Sequence, residues 1–202
     1  MNRLSLWTVA CCCVMISVLS SCRALTPPVT YYTLSSIPVA AVESDAGGKV
    51  TVTIGIQPLE LPGTINRTQM VKRAGAHQLA ISSLNRWADF PDRLVQQVLG
   101  ENLQVLMPEA RVVNPPWPAG LKPDITVAFQ FFELIGTTDN KMLLNAQWTI
   151  ANSDQPPVVQ VHRKDYEEPI PGSDFEGLAA AHSRGLEALC RQVAKSLRTF
   201  VN

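Results

Sequence analysis

Over residues 49–58, KVTVTIGIQP, apolar and polar positions alternate: Val50, Val52, Ile54 and Ile56 take one face, Thr51, Thr53 and Gln57 the other. A period of two predicts a half-buried strand. Residues 124–135 repeat it, with Ile125, Val127, Phe129 and Phe131 on one face, and GTTDNK at 136–141 supplies turn chemistry. Residues 141–150 keep Met142, Leu144, Ala146, Trp148 and Ile150 in phase. These two runs read as a long antiparallel hairpin, with 156–166 as a third neighbour whose polar content rises toward its end. YYTL at 31–34 and QLAI at 78–81 are shorter strand candidates.

Helical spacing occurs twice. Leu94, Val95, Val98, Leu99, Leu103 and Leu106 form one stripe, with Asp89 as its expected cap and Pro91 in its first turn. Gly100 costs this helix about 1 kcal/mol relative to alanine, which the stripe absorbs. The second stripe is Phe175, Leu178, His182, Leu186, Leu189, Val193, Leu197 and Phe200, behind a capping box from Ser173 to Glu176. Arg191, Lys195 and Arg198 gather near its end, where they complement the helix dipole. Strands, helix, strands, helix is the order of an α+β fold: a mixed, largely antiparallel sheet with two helices packed on one face.

Between Arg3 and Arg23 lie 19 residues without charge. A basic start, an apolar centre and a small-residue end make a secretory signal. A spanning helix needs about 20 predominantly apolar residues, and this run reaches that length only by counting five serines and threonines. Its end, Leu19-Ser20-Ser21-Cys22, resembles the bacterial lipobox. The small side chains of Ser20 and Ser21 admit a peptidase to the extended backbone, and the Cys22 thiol is the nucleophile that receives diacylglycerol. The resemblance implies cleavage before Cys22 and acylation of the new amino group; an ordinary cysteine in an apolar helix is the alternative. The chain then divides into a signal peptide at 1–21, a lipidated tether at 22–29 and one domain at 30–202. Several acyl chains, burying methylenes worth about 0.8 kcal/mol apiece, suffice to hold a protein on a membrane.

Loss of the signal changes the chemical inventory. Cys11, Cys12 and Cys13 leave with it, Cys22 carries lipid, and Cys190 stands alone. Neither an intrachain disulfide nor a cysteine metal cluster is expected, and Cys190 reads as a small hydrophobe beside Leu189. Basic residues fall from 17 to 16 against 17 acidic ones. A near-neutral body argues against nucleic acid, which needs a basic patch. No nucleophile elbow, phosphate-binding glycine loop or metalloprotease pair is present. His182 falls on an apolar helix face and His162 at a polar strand end, while Asp165, Glu167 and Glu168 read as charged surface unless a pocket gathers them. No catalytic residue, metal or cofactor is expected beyond the lipid on Cys22.

Residues 52–107 carry a second resemblance. A strand ending in Pro58-Leu59-Glu60-Leu61-Pro62 leads to a loop with Asn66, Arg67, Gln69, Met70, Val71 and Arg73, and Trp87-Ala88-Asp89 then opens a helix. Together with the long hairpin, its Leu144, Ala146 and Trp148 pattern and the terminal helix, this resembles the PqiC-type lipoproteins. These are the auxiliary lipoprotein component of ABC-type intermembrane transport systems. Thr64-Ile65 and Phe90 depart from the aromatic–aliphatic pair and the leucine more usual there. The resemblance implies a non-enzymatic lipoprotein on the periplasmic side of the outer membrane, contributing to envelope integrity. Its implied partner is an envelope-spanning protein of the mammalian-cell-entry (MCE) type that conducts lipids. Arg23 after the acylated cysteine agrees with outer-membrane sorting, since inner-membrane retention usually involves Asp there. A symmetric partner favours a homo-oligomer.

Three other functions stay open at this point. They are an adaptor for a secretion or outer-membrane assembly machine, a periplasmic hydrolase, and direct lipid carriage in an apolar cavity of several hundred cubic ångströms. For contacts, Arg67, Gln69, Lys72 and Arg73 can donate hydrogen bonds to partner carboxylates or lipid phosphates. The competing reading is an edge strand with Met70 and Val71 on the core and the charges in water. Trp117, within NPPWPAGLKP at 114–123, is either a partner or membrane anchor or an aromatic folded back on the body. Trp87 reads as a staple of the helix to the core.

Overall fold

The longest alternating run becomes the strand that organises the sheet. The structure, a computed structural model, describes residues 27–39, 52–154 and 156–201. The lipobox, the start of the tether and Val50 lie outside the described residues. In chain order the elements are β1 (Thr30–Tyr32), β2 (Val52–Ile56), β3 (Gln69–Arg73), β4 (Leu79–Trp87), α1 (Pro91–Leu106) and β5 (Ala110–Val113). Then come β6 (Ile125–Thr137), β7 (Lys141–Asn152), β8 (Val159–Pro169) and α2 (Phe175–Val201).

One edge of β6 pairs with β7 along its whole length, and β7 pairs in turn with β8. The other edge is divided. Ile125–Val127 takes β2, which carries β5, while Gly136–Thr137 takes β3, followed by β4 and β1. The long pairings β6–β7 and β7–β8 are antiparallel, as is β3–β4; the four shorter ones are parallel. The sheet is therefore mixed, with both helices on one face. Among the described residues no strand pairs with this edge of β6 between Val127 and Gly136. Val127 O accepts from Gln57 N there at 2.8 Å. Backbone alternation thus turns the N–H and C=O groups of Phe129 and Phe131 toward the gap.

Alternation fixes which side chains meet the helices. Ile125, Val127, Phe129 and Phe131 of β6 and Met142, Leu144, Ala146, Trp148 and Ile150 of β7 are all buried. Carried one step further along β6, the same phase would place Glu133 under the helices. A bulge between Phe131 and Glu133 prevents this. It turns Glu133 out and Leu134 in, opposite Leu144, because one extra residue inverts the faces that follow. The extra residue, Phe132, lies 39% exposed with the Arg163 guanidinium 4.1 Å above its ring.

Both helix starts differ from the sequence expectation. The N-cap of α1 is Phe90, without a side-chain cap. Asn66 supplies the missing acceptor from the β2–β3 connection, its Oδ1 taking the Asp92 N–H at 3.2 Å. Asp89 instead accepts from Phe90 N and from the Arg93 guanidinium. In α2 the cap is Asp174, whose Oδ1 accepts from Gly177 N at 2.7 Å; the cap is shifted by one residue, and glycine at the third helical position leaves no reciprocal box. Gly100 has a packing reason: a Cβ there would lie 2.2 Å from the Asn114 side chain. Leu99, Leu103, Leu186, Leu189, Cys190, Val193 and Leu197 close the space between the helices and the sheet.

The 69–73 stretch is a strand with Met70 and Val71 buried, but it runs between β4 and β6 rather than along an edge. If Asn66 caps α1 across the loop, Asn66→Ala lowers unfolding free energy by about 1 kcal/mol in urea titrations, the usual worth of a cap. Asp89→Ala costs about 0.3–0.5 kcal/mol, the scale of an exposed i,i+4 pair; a larger loss at Asp89 than at Asn66 would contradict this assignment.

Candidate functional site

Of the five contact residues suggested by the sequence, three serve the fold. Trp117 donates its Nε1–H to Ile56 O at 3.1 Å and lies against Gly55, where a Cβ would sit 2.7 Å from its ring. It seals the end of β2 and is the aromatic folded back on the body. Lys72 donates to Ser173 O at 3.0 Å and rests 5.0 Å above the Phe175 ring, fastening β3 to the start of α2. Arg73 pairs with Glu133 at 2.7 Å, the carboxylate that the β6 bulge turns outward.

Gln69 and Arg67 are left, and the sheet adds Arg86. In register, Tyr31 of β1, Arg86 of β4 and Gln69 of β3 form one row across three strands. Trp87 N donates to Thr68 O, which carries the ladder one step past Gln69. Arg67 lies two residues before Gln69, in the bend that leads into β3, so its stem starts beside the row that holds Arg86. Trp87 is buried, its ring edge-on to His182 with centroids 5.4 Å apart. Arg86, next to it in sequence, therefore points to the face away from the helices. The Nε of Arg67 and that of Arg86 are both closed to solvent and meet no acceptor. An unmet buried donor costs about 1–3 kcal/mol.

The residues weighed for catalysis do not converge. Strand alternation sends Asp165 and Glu167 to one side of β8 and Glu168 to the other. Glu167 pairs with Lys141 at 2.7 Å and Glu168 with Arg184 at 3.3 Å. His162 lies flat against Trp148, centroids 5.2 Å apart. Cys190 is buried, and burial pushes its thiol up to about 12. Among the described residues no group of three or more His, Cys, Asp or Glu is placed to hold a metal ion. No described helix is long and apolar enough to cross a membrane. The apolar cleft among Leu61, Val71, Trp87, Leu94, Val95 and His182 holds about 20 Å³, room for one water and not for an acyl chain.

Compared with known proteins, residues 32–194 match the family model described as ABC-type transport auxiliary lipoprotein component. The chain belongs to that family. Its members are lipoproteins serving as auxiliary components of transport, which makes this a membrane-anchored envelope protein. No curated protein matches the chain. Among solved structures, the family chain is similar to a crystal structure of an uncharacterized protein, with TM-score 0.70 and 14% identity over 85% of this chain and 99% of that one. It is also similar to a DUF330 protein from Xanthomonas campestris, with TM-score 0.62 and 11% identity over 83% of this chain and 93% of that one. At such identities these likenesses show the fold alone.

His182 links the core to pH. Burial holds its imidazole below the ordinary histidine range, against the pull of the Leu178 and Leu134 carbonyls, the first of which lies 2.8 Å from Nδ1. The unfolded chain takes up a proton near pH 6.5 while the folded one stays neutral. Stability therefore falls as pH drops below about 6.5, by up to about 1.4 kcal/mol per unit. His182→Gln is expected to remove that part of the pH dependence; an unchanged slope would place its origin elsewhere. Cys190 is expected to resist iodoacetamide until the protein unfolds.

Proposed function

We propose that this chain is a non-enzymatic auxiliary subunit of an MCE-linked, ABC-type lipid transport system, anchored through Cys22 to the outer membrane and facing the periplasm. The observation that carries the reading is the family match over residues 32–194, which begins within a short tether's length of the lipobox cysteine. A tether of residues 22–29 extends at most about 3.5 Å per residue, so the domain at 30–202 works close to the bilayer.

The interior supports a protein that docks rather than transforms. The apolar core residues described are buried, the β8 carboxylates are split between faces with Glu167 and Glu168 ion-paired, and the buried thiol is held protonated. Assembly into a homo-oligomer would match a symmetric envelope-spanning partner. Through lipid movement in such a complex the subunit contributes to envelope integrity.

Affinity-tagged chain recovered from crosslinked membranes is expected to bring down an MCE-domain protein. Recovery of a secretion or outer-membrane assembly machine, without any MCE-domain protein, would reject the proposal.

A further inference from the structure

Nine arginines fall among the described residues, and six of them are engaged. Arg73, Arg93, Arg184, Arg191 and Arg198 meet carboxylates, and Arg163 meets the Asn145 amide. Arg111 is exposed on β5, where water serves its donors. Arg67 and Arg86 differ from all of these. Both are half-buried, both have a buried Nε without an acceptor, and neither forms an ion pair with any described residue. Packing holds their stems, while nothing described in the protein neutralises their charge.

The surroundings define what would neutralise it. The register neighbours of Arg86 are Tyr31, exposed to 61%, and Gln69, which bring donors and no carboxylate. Two guanidinium forks present parallel N–H groups that match a phosphate bidentately, a match a lysine ammonium does not provide. A phenol beside them is suited to a boundary with one apolar and one wet side. The place matters as much as the chemistry. Tyr31 lies on β1, the edge strand into which the tether leads, nine residues after Cys22. Even fully extended, that length of chain spans only about 30 Å.

We propose that Arg67 and Arg86, flanked by Gln69 and Tyr31, form a phosphate-binding site on the sheet face away from the helices, which takes the headgroup of an anionic lipid from the bilayer that anchors the domain. The lipid source rests on the lipidated reading above; the phosphate chemistry rests on the two guanidinium groups alone. Net-anionic headgroups are favoured because two uncompensated positive charges face them, whereas a zwitterionic headgroup brings its own cation. The site offers contact to a headgroup at the surface, with the acyl chains remaining in the membrane.

The test uses the full lipoprotein, extracted from membranes into a neutral detergent, and native mass spectrometry with added phosphatidylglycerol or phosphatidylcholine. Wild-type protein is expected to retain phosphatidylglycerol about tenfold more tightly than phosphatidylcholine, and Arg67→Gln/Arg86→Gln to lose that preference. Arg111→Gln is the control and keeps it. Arg67→Lys/Arg86→Lys preserves charge while removing the forks, and is expected to keep the preference but hold both lipids several-fold more weakly, with an unchanged circular dichroism spectrum. Equal retention of both lipids by wild type, or undiminished retention of phosphatidylglycerol by the folded lysine variant, would overturn the site. Displacement of phosphatidylglycerol by low-millimolar inorganic phosphate would overturn the lipid source and assign the same residues to a free anion. Failure here leaves the partner pull-down untouched, and failure of the pull-down leaves this headgroup preference intact.

Discussion

Alternation along β6 must keep one row of side chains under the helices while its backbone serves three strands. Its β7 edge is continuous, so β2 and β3 share what remains, each pairing with a different end. This division brings distant parts of the chain together. It sets the β2–β3 connection beside α1, where Asn66 can cap the helix, and it carries β3, β4 and β1 outward, with β1 at the sheet edge. The bulge at Phe132 is the concession that makes the strand workable. Without it Glu133 would sit in the apolar layer; with it the carboxylate meets Arg73 in a half-exposed pair.

The legible parts of the fold were those governed by local period. β6, β7 and β8 follow from alternation, and both helices follow from their stripes, because each signal lies within one run of residues. β5, only four residues long, has too little sequence to show a period. β4 runs on to Trp87, well past the stretch at 78–81, because its exposed first half breaks the in–out pattern. The parallel attachment of β2 to β6 joins residues about seventy positions apart, so nothing local announces it. The capping of α1 by Asn66 is hidden for the same reason: Asp89 has the right chemistry nearby, but the backbone delivers Asn66.

The candidate site was harder to read. Arg67, Lys72 and Arg73 look alike in a loop-like stretch, yet partners far along the chain separate them. Ser173 and Phe175 occupy Lys72, Glu133 occupies Arg73, and Arg67 is left without an acceptor. Arg86 needed the register with Gln69 before it could be placed beside Arg67. A usable hint was present in Asn85-Arg86-Trp87: if Trp87 staples the core, a strand residue before it must face the other way. What distinguishes the arginines is therefore long-range pairing, which no single stretch of sequence records.

The proposed role rests on a domain held at a bilayer by its β1 edge, where a closely packed core and a cationic row without carboxylate partners suit contact better than chemistry. The mass of the mature amino-terminal peptide, isolated from membranes, tests this most directly. The expected peptide begins at Cys22 and carries diacylglycerol together with an amide-linked acyl chain. A peptide running unmodified through Ser21 and Cys22 would contradict it.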